Sequence, residues 1–406
     1  MRFFSSALLV CLLGITGACG ADANSPAFQL RDSTGITLVE SYRPEWEEGE
    51  GWSVDPDATL RLGLVHGEAA FQFDGITGLA RTQDGGIVVA DAGSQEVRFF
   101  DSSGSFKGKV GGEGEGPGEF LGLSGLGSAP SGTLWAYDFS LRRVTWLNGA
   151  GEVEDITSLG PEPPVLNAVG ALPDGSFVLK QLWGAAVVSG ATESGLRRDP
   201  VAYVRFGRDG VLVDTVGMFP GRQIFLRDEG GRGVMATPPF ARNSVGRPWG
   251  DGLVVGTQEE GFELKKYSPE GDLESLIRIP QWPVALQPGD LEEYIQGRMA
   301  QVSPERRPGV RQELEAMPIP DTKPGYGAVL TDEVGNLWVS DWAASPQLPK
   351  RWTVLGPSGK WLGSVEVPHR FFPYGIGSDW MVGVEQDDLD VEYVVLYPLN
   401  KTRSND

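Results

Sequence analysis

A short pattern recurs six times along the chain: a tight-turn signal, commonly Asp-Gly or a close variant, followed by an alternating apolar strand. The copies are Asp84–Asp91, Ser131–Asp138, Asp174–Lys180, Asp251–Gly256, Val334–Asp341 and the degenerate Ser378–Val384. A second strand follows each copy, and in the first five it ends in another tight turn: Val97–Gly104, Val144–Gly151, Val204–Gly210, Leu264–Gly271 and Trp352–Gly359. The sixth, Tyr393–Tyr397, lacks that turn. Hairpin units of this kind cannot bury an apolar face alone, so neighbouring copies must stack. The 57 Gly and 29 Pro make turn formers about a fifth of the chain, against roughly 12% on average, which excludes helical bundles and coiled coils.

The first three copies lie 46 and 43 residues apart, counted from Gly86 to Gly132 to Gly175. About 40 to 50 residues is the length of a four-stranded propeller blade. The fold class expected is therefore all-β, a six-bladed β-propeller. Between the first two copies runs Gly111-Gly112-Glu113-Gly114-Glu115-Gly116-Pro117-Gly118-Glu119-Phe120. With this motif the stretch from about Phe71 to Leu399 resembles the bacterial six-bladed propeller proteins of the NHL-like and TolB-like type. In those relatives a similar run joins the outer strand of one blade to the inner strand of the next, although the Pro often found after the Phe is absent from Leu121-Gly122-Leu123. No Gly-Lys-Ser/Thr follows the glycines, so they do not read as a phosphate cradle.

The first residues, Met1-Arg2-Phe3-Phe4, open an apolar run reaching Ile15, followed by Thr16-Gly17-Ala18-Cys19. The run is too short to span a bilayer, which takes about 20 residues, and reads as a signal peptide. Small residues before a cysteine resemble the lipobox of bacterial lipoproteins, which implies cleavage after Ala18 and lipidation of Cys19; Thr16 and Gly17 depart from its usual residues. The expected organisation is a signal over 1–18, a tether over 19–34, the propeller over 35–400 and a tail over 401–406. The β-branched segment Gly35–Tyr42 is expected to close the ring by completing the last blade. The expected address is the bacterial cell envelope, lipid-anchored, at the outer membrane or facing the periplasm. Cys11 lies within the signal, which leaves Cys19 as the mature chain's cysteine and rules out a disulfide framework.

Loop lengths point to one face. The turns listed above join first to second or third to fourth strands of a blade, whereas the long segments 181–200, 219–240 and 280–325 fall on the opposite side, over blades three to five. The last should contain two short helices between blades four and five, with Asp290 as a cap and Leu291, Tyr294, Ile295 and Met299 seated against the propeller. Long loops without repeats of their own are commonly binding surfaces.

Charge marks the same region. The chain has 34 basic and 55 acidic residues, net −21, which argues against nucleic acid and leaves the lipid anchor as the membrane contact. Yet Arg222, Arg227, Arg232, Arg242 and Arg247 fall within 26 residues whose acids are Asp228 and Glu229. Arginine suits carboxylate, phosphate or sulfate, and Trp183, Trp249 and Trp342 beside these loops can stack a ring or sugar. Surface ion pairing is the plain alternative for the arginines and packing for the tryptophans. Trp135 and Trp338 read as packing between blades.

The reading that results is a ligand-binding or protein-interaction module, monomeric, whose partner is a small anionic or carbohydrate-like molecule or an envelope protein. The alternative is a metal-dependent hydrolase or lyase of the lactonase-like propeller type, in which Asp74, Asn167 and Asn243 at inner-strand starts would hold Ca2+ or another divalent cation at the channel mouth. His66 and His369 would be neighbours in a closed ring and would allow a small metal or acid–base site. No HExxH or Gly-x-Ser-x-Gly motif is present. Asp91, Asp138 and Asp341 recur at strand ends, a placement that suits turn capping.

Overall fold

The second strands of the repeat units are deeply buried, and Ile87–Asp91 and Leu134–Asp138 are buried at every residue. In this computed structural model the described residues are 26–401 apart from 48, 185, 186, 188, 189, 191, 192, 229, 231, 232, 260, 301, 344–350 and 388. Residues 1–25, where the signal and Cys19 anchor are expected, Arg232 and residues 402–406 lie outside them.

Six antiparallel sheets carry the repeats. They begin, innermost, with Ile76–Arg81, Leu123–Ser128, Leu166–Ala171, Val245–Trp249, Val329–Thr331 and Phe371–Ile376. These innermost strands touch in that order, and the last returns to the first, so the circuit is closed. The architecture is an all-β propeller, and the circuit is consistent with six blades. An apolar cluster fills each junction between neighbouring sheets. Trp135 packs edge-on to Phe177 at 5.0 Å between the second and third sheets, and Trp338 is buried between the fifth and sixth.

The Gly111–Phe120 run is a linker, as its resemblance implied. Phe120 is buried and its N–H donates to the Gly112 carbonyl at 3.0 Å, folding the loop back on itself. Gly111 and Gly112 have φ of 112° and 117°, open to glycine and costly for other residues. Asp91 and Asp138 accept backbone N–H groups of the segments entering the inner strands, from Asp74 at 2.7 Å and Leu121 at 2.7 Å, which is the structural role expected of them.

The N-terminal segment differs from expectation. Ile36–Ser41 pairs in parallel with Leu273–Ile279, the outer strand of the fourth sheet, and Phe28–Ser33 adds a further strand beyond it. The chain then passes over the fifth sheet, where the Trp46 N–H donates to the Leu362 carbonyl at 2.8 Å. Leu60–Leu62 completes the sixth sheet by pairing with Glu392–Asn400, and Ser53–Val54 pairs with the end of that same strand. Residues 28–62 thus form a belt along the outer edges of three consecutive sheets. The last sheet is closed from the N-terminal side, but by the strand nearest in sequence to the first sheet. Residues 28–33, within the stretch expected to be a tether, are a strand.

The three long segments fold together. Gly195–Arg197, Ile224–Asp228 and Gly233–Ala236 form a small separate sheet from the first two. The third contains the helices α1 (Asp290–Ala300) and α2 (Arg307–Glu315). Tyr294 and Ile295 pack on Phe240, Leu314 and Trp342, so the apolar stripe of α1 seats on α2 and on neighbouring loops and not, as expected, against the propeller strands. Asp290 bonds the Gln287 N–H at 2.8 Å and pairs with Lys323, an arrangement that fixes the approach to α1.

Candidate functional site

A cationic cluster lies where the insertions meet the third and fourth sheets. Arg222 donates to Thr237 Oγ1 at 2.7 Å. Arg242 donates to Thr322 Oγ1 at 2.6 Å, and its Nε is buried without a partner among the described residues. Arg247 is placed apart from these, midway along the innermost strand of the fourth sheet, where it donates to the carbonyls of Val329 at 3.1 Å and Val169 at 3.4 Å on the inner strands to either side. Burial presses its ionisation below the usual arginine value, though an arginine remains charged.

Two cations that loop reasoning did not single out complete the cluster. Lys180, at the end of the second strand of the third sheet, donates to the Ser244 carbonyl at 2.6 Å and to Asn243 Oδ1 at 2.9 Å. Its pKa is lowered to about 8, first by burial and then by Arg198 and Arg222. Arg198 donates to the Gly221 carbonyl at 3.0 Å and pairs with the exposed Glu259. A signal for Lys180 existed in the repeat: the same register holds Ala90, Tyr137 and Ser340 in other copies, all buried and uncharged.

Among the described residues, no carboxylate pairs with Lys180, Arg222, Arg242 or Arg247. Two acids of the adjoining segments are committed elsewhere, Asp199 to Arg197 at 3.1 Å and Glu259 to Arg198. In a chain of net charge −21 this is a local excess of positive charge held by neutral acceptors. A small crevice beside it is lined by Leu182, Trp183, Val187, Asp199, Arg222 and Ile224.

The remaining candidates sort by position. Arg227 forms an ion pair with Glu313 at 2.6 Å that ties the small sheet to α2, which assigns it the structural alternative. Trp249 ends its inner strand at the tight-turn side, buried, with its indole N–H on the Gly335 carbonyl at 2.8 Å; it belongs to the core between the fourth and fifth sheets and not to the loop-rich face. Trp342 stacks on Tyr294 at 6.1 Å and holds the helices.

Asn167 is the cross-strand partner of Lys180, and Asn243 accepts its hydrogen bond, so these two meet at an amine. Asp74 sits at the entry to the first sheet, three places around the circuit from the fourth, with its N–H on Asp91. A hard cation at Asn243 would have to displace Lys180, and the donor set fits a metal poorly. His66 and His369 are both exposed, and no group of three His, Cys, Asp or Glu side chains suited to a metal occurs among the described residues.

The class of protein is thus a β-propeller with a cationic, loop-covered face. No family model and no curated protein sequence matches the chain. Its structural neighbours are bacterial β-propeller-like proteins. A member of the DUF4221 family from Bacteroides vulgatus is 12% identical with a TM-score of 0.50, covering 86% of this chain and 99% of its own. A streptogramin B lyase is 11% identical, TM-score 0.40, covering 87% and 99%. A gluconolactonase from Xanthomonas campestris is 12% identical, TM-score 0.43, covering 86% and 100%. At these identities the likeness concerns the fold. No helix among the described residues is long and apolar enough to cross a membrane.

Proposed function

We propose that this protein is a cell-envelope lipoprotein whose propeller binds a small ligand carrying a carboxylate, phosphate or sulfate group at the loop-rich face of the third and fourth sheets. The observation that carries this reading is the set of three cations, Lys180, Arg222 and Arg242, held by neutral acceptors without a carboxylate partner among the described residues. Guanidinium groups anchored through one edge keep other N–H donors for an incoming oxyanion. Trp183 beside Arg222 offers an apolar surface to the rest of the ligand. The envelope address and Cys19 anchor are supported by the N-terminal sequence. A metal-dependent hydrolase or lyase at the channel mouth has less support, because the amine of Lys180 engages Asn243.

The test is calorimetry on the mature chain from Gly20 with phosphate, sulfate and small di- and tricarboxylates. Saturable binding that falls about tenfold or more in Arg222→Ala and Arg242→Ala, the scale of one lost charge-assisted hydrogen bond, is expected. Absence of binding by every anion at millimolar concentration would overturn the reading. For the anchor, Cys19→Ala should move the protein from the membrane to the soluble fraction.

A further inference from the structure

The N-terminal strand begins on the loop-rich side of the propeller. Ile36–Ser41 runs parallel to Leu273–Ile279, with Glu40 beside Arg278, and Leu273–Ile279 leads directly into the insertion 280–325. Phe28–Ser33 runs back antiparallel, so Phe28 lies opposite Ser41 at that same end, where the Ala27 carbonyl accepts the Tyr42 N–H at 2.8 Å. The chain that precedes Ala27 therefore departs beside the insertion that carries Thr322, the partner of Arg242. Seven residues, Gly20–Pro26, separate this point from Cys19, and fully extended they reach about 25 Å. A six-residue strand such as Ile76–Arg81 is about 20 Å long. Presenting the tight-turn side to a bilayer would thus use nearly all of that reach along the outer edge of the fourth sheet.

We infer that the loop-rich face rests on the membrane that holds the Cys19 anchor, and that the anion site there takes the phosphate of a phospholipid headgroup. This builds on the lipoprotein and anion-site readings above. An interfacial contact uses apolar side chains for the acyl boundary and cations for the headgroups, and this face has both. Leu196 and Met235 on the small sheet and Ile319 in the third insertion are exposed, as is Arg222. Glu292, Glu313 and Glu315 of the helices are each paired with an arginine, which limits their repulsion of headgroups. A free chain of net charge −21 is repelled by an anionic surface, so the contact belongs to the anchored protein, whose tether holds the face at high effective concentration beside the bilayer.

The experiment uses the full-length lipoprotein, purified from membranes and reconstituted into vesicles of phosphatidylethanolamine and phosphatidylglycerol containing a lipid with a nitroxide on its headgroup. With Cys19 acylated, one introduced cysteine carries a fluorophore: Ile319→Cys on the loop-rich face, Val211→Cys in a tight turn or Leu30→Cys on the outer edge, all exposed positions. The nitroxide should quench the label at Ile319→Cys at least about threefold more than at either of the others. Arg222→Ala together with Arg242→Ala should lower that quenching by about half or more. Equal quenching at the three positions, strongest quenching at Val211→Cys or Leu30→Cys, or none at all would overturn the orientation, and quenching unchanged by the arginine variants would overturn the lipid-phosphate part. Mass spectrometry of Cys19 separates the failures: without lipid there, the anchor fails and the inference with it. If Cys19 is lipidated and soluble phosphate binds while the label at Ile319→Cys stays unquenched, the membrane contact alone fails.

Discussion

Lys180 Nζ stands 2.9 Å from Asn243 Oδ1, a bond that joins the second strand of the third sheet to the entry of the fourth. Because the folded pKa is about 8 against 10.5 for the free side chain, the unfolded chain binds more protons between those values. Stability contributed by this group therefore rises as pH climbs from about 8 to 10.5, and below pH 8 the folded protein bears the full cost of the shift, at most roughly 3 kcal/mol. The difference in unfolding free energy between the wild type and Lys180→Met, followed by denaturant titration across pH 7 to 11, should show that slope. Bound phosphate should shift its onset to higher pH by stabilising the ammonium.

Arg98 and Asp91 form an ion pair at 2.9 Å with both side chains nearly inaccessible, and Arg98 also donates to the Gln72 carbonyl at 2.6 Å. Arg98→Ala would strand a buried carboxylate. A loss of about 3–5 kcal/mol is expected, read as a lowered urea midpoint with an unchanged slope.

Trp46 clamps the belt to the fifth sheet. It packs at a tilt on Trp52, 4.8 Å between ring centres, which lies 5.8 Å from the buried Trp338, and covers Gly363, where its ring leaves no room for a Cβ. Trp46→Ala should cost about 2–4 kcal/mol and expose the edges that residues 28–62 cover. Aggregation on mild heating, followed by light scattering, is the measurement.

Trp183 and Trp249 should separate binding from stability. Trp249→Ala removes a buried ring and leaves the Gly335 carbonyl unpaired, so it should cost about 3 kcal/mol or more without changing anion affinity. Trp183→Ala, in the crevice beside Arg222, should weaken binding while moving the melting temperature little. Calorimetry and thermal melts on both variants decide this.

The propeller was legible in the residues themselves, because turn chemistry and strand alternation are local: each Asp-Gly signal bends its own hairpin and each apolar register buries its own strand, whatever lies elsewhere. The placement of the long insertions on one face followed from counting strands, and the arginines of 222–247 were visible as a run short of acids. Which of them remained free of carboxylates was not. Arg227 meets Glu313 across 86 residues, while Arg242 meets only the neutral Thr322, and no local pattern distinguishes the two. The belt was hidden for a related reason: Ile36–Ser41 has the alternation of an outer strand, but alternation names no partner, and the parallel match to Leu273–Ile279 joins segments more than 200 residues apart. Lys180 shows the limit most clearly. Its sequence position is one register of one repeat, and its chemistry is set by Asn243, Ser244, Arg198 and Arg222, which only the closed ring and its folded loops bring to the same place.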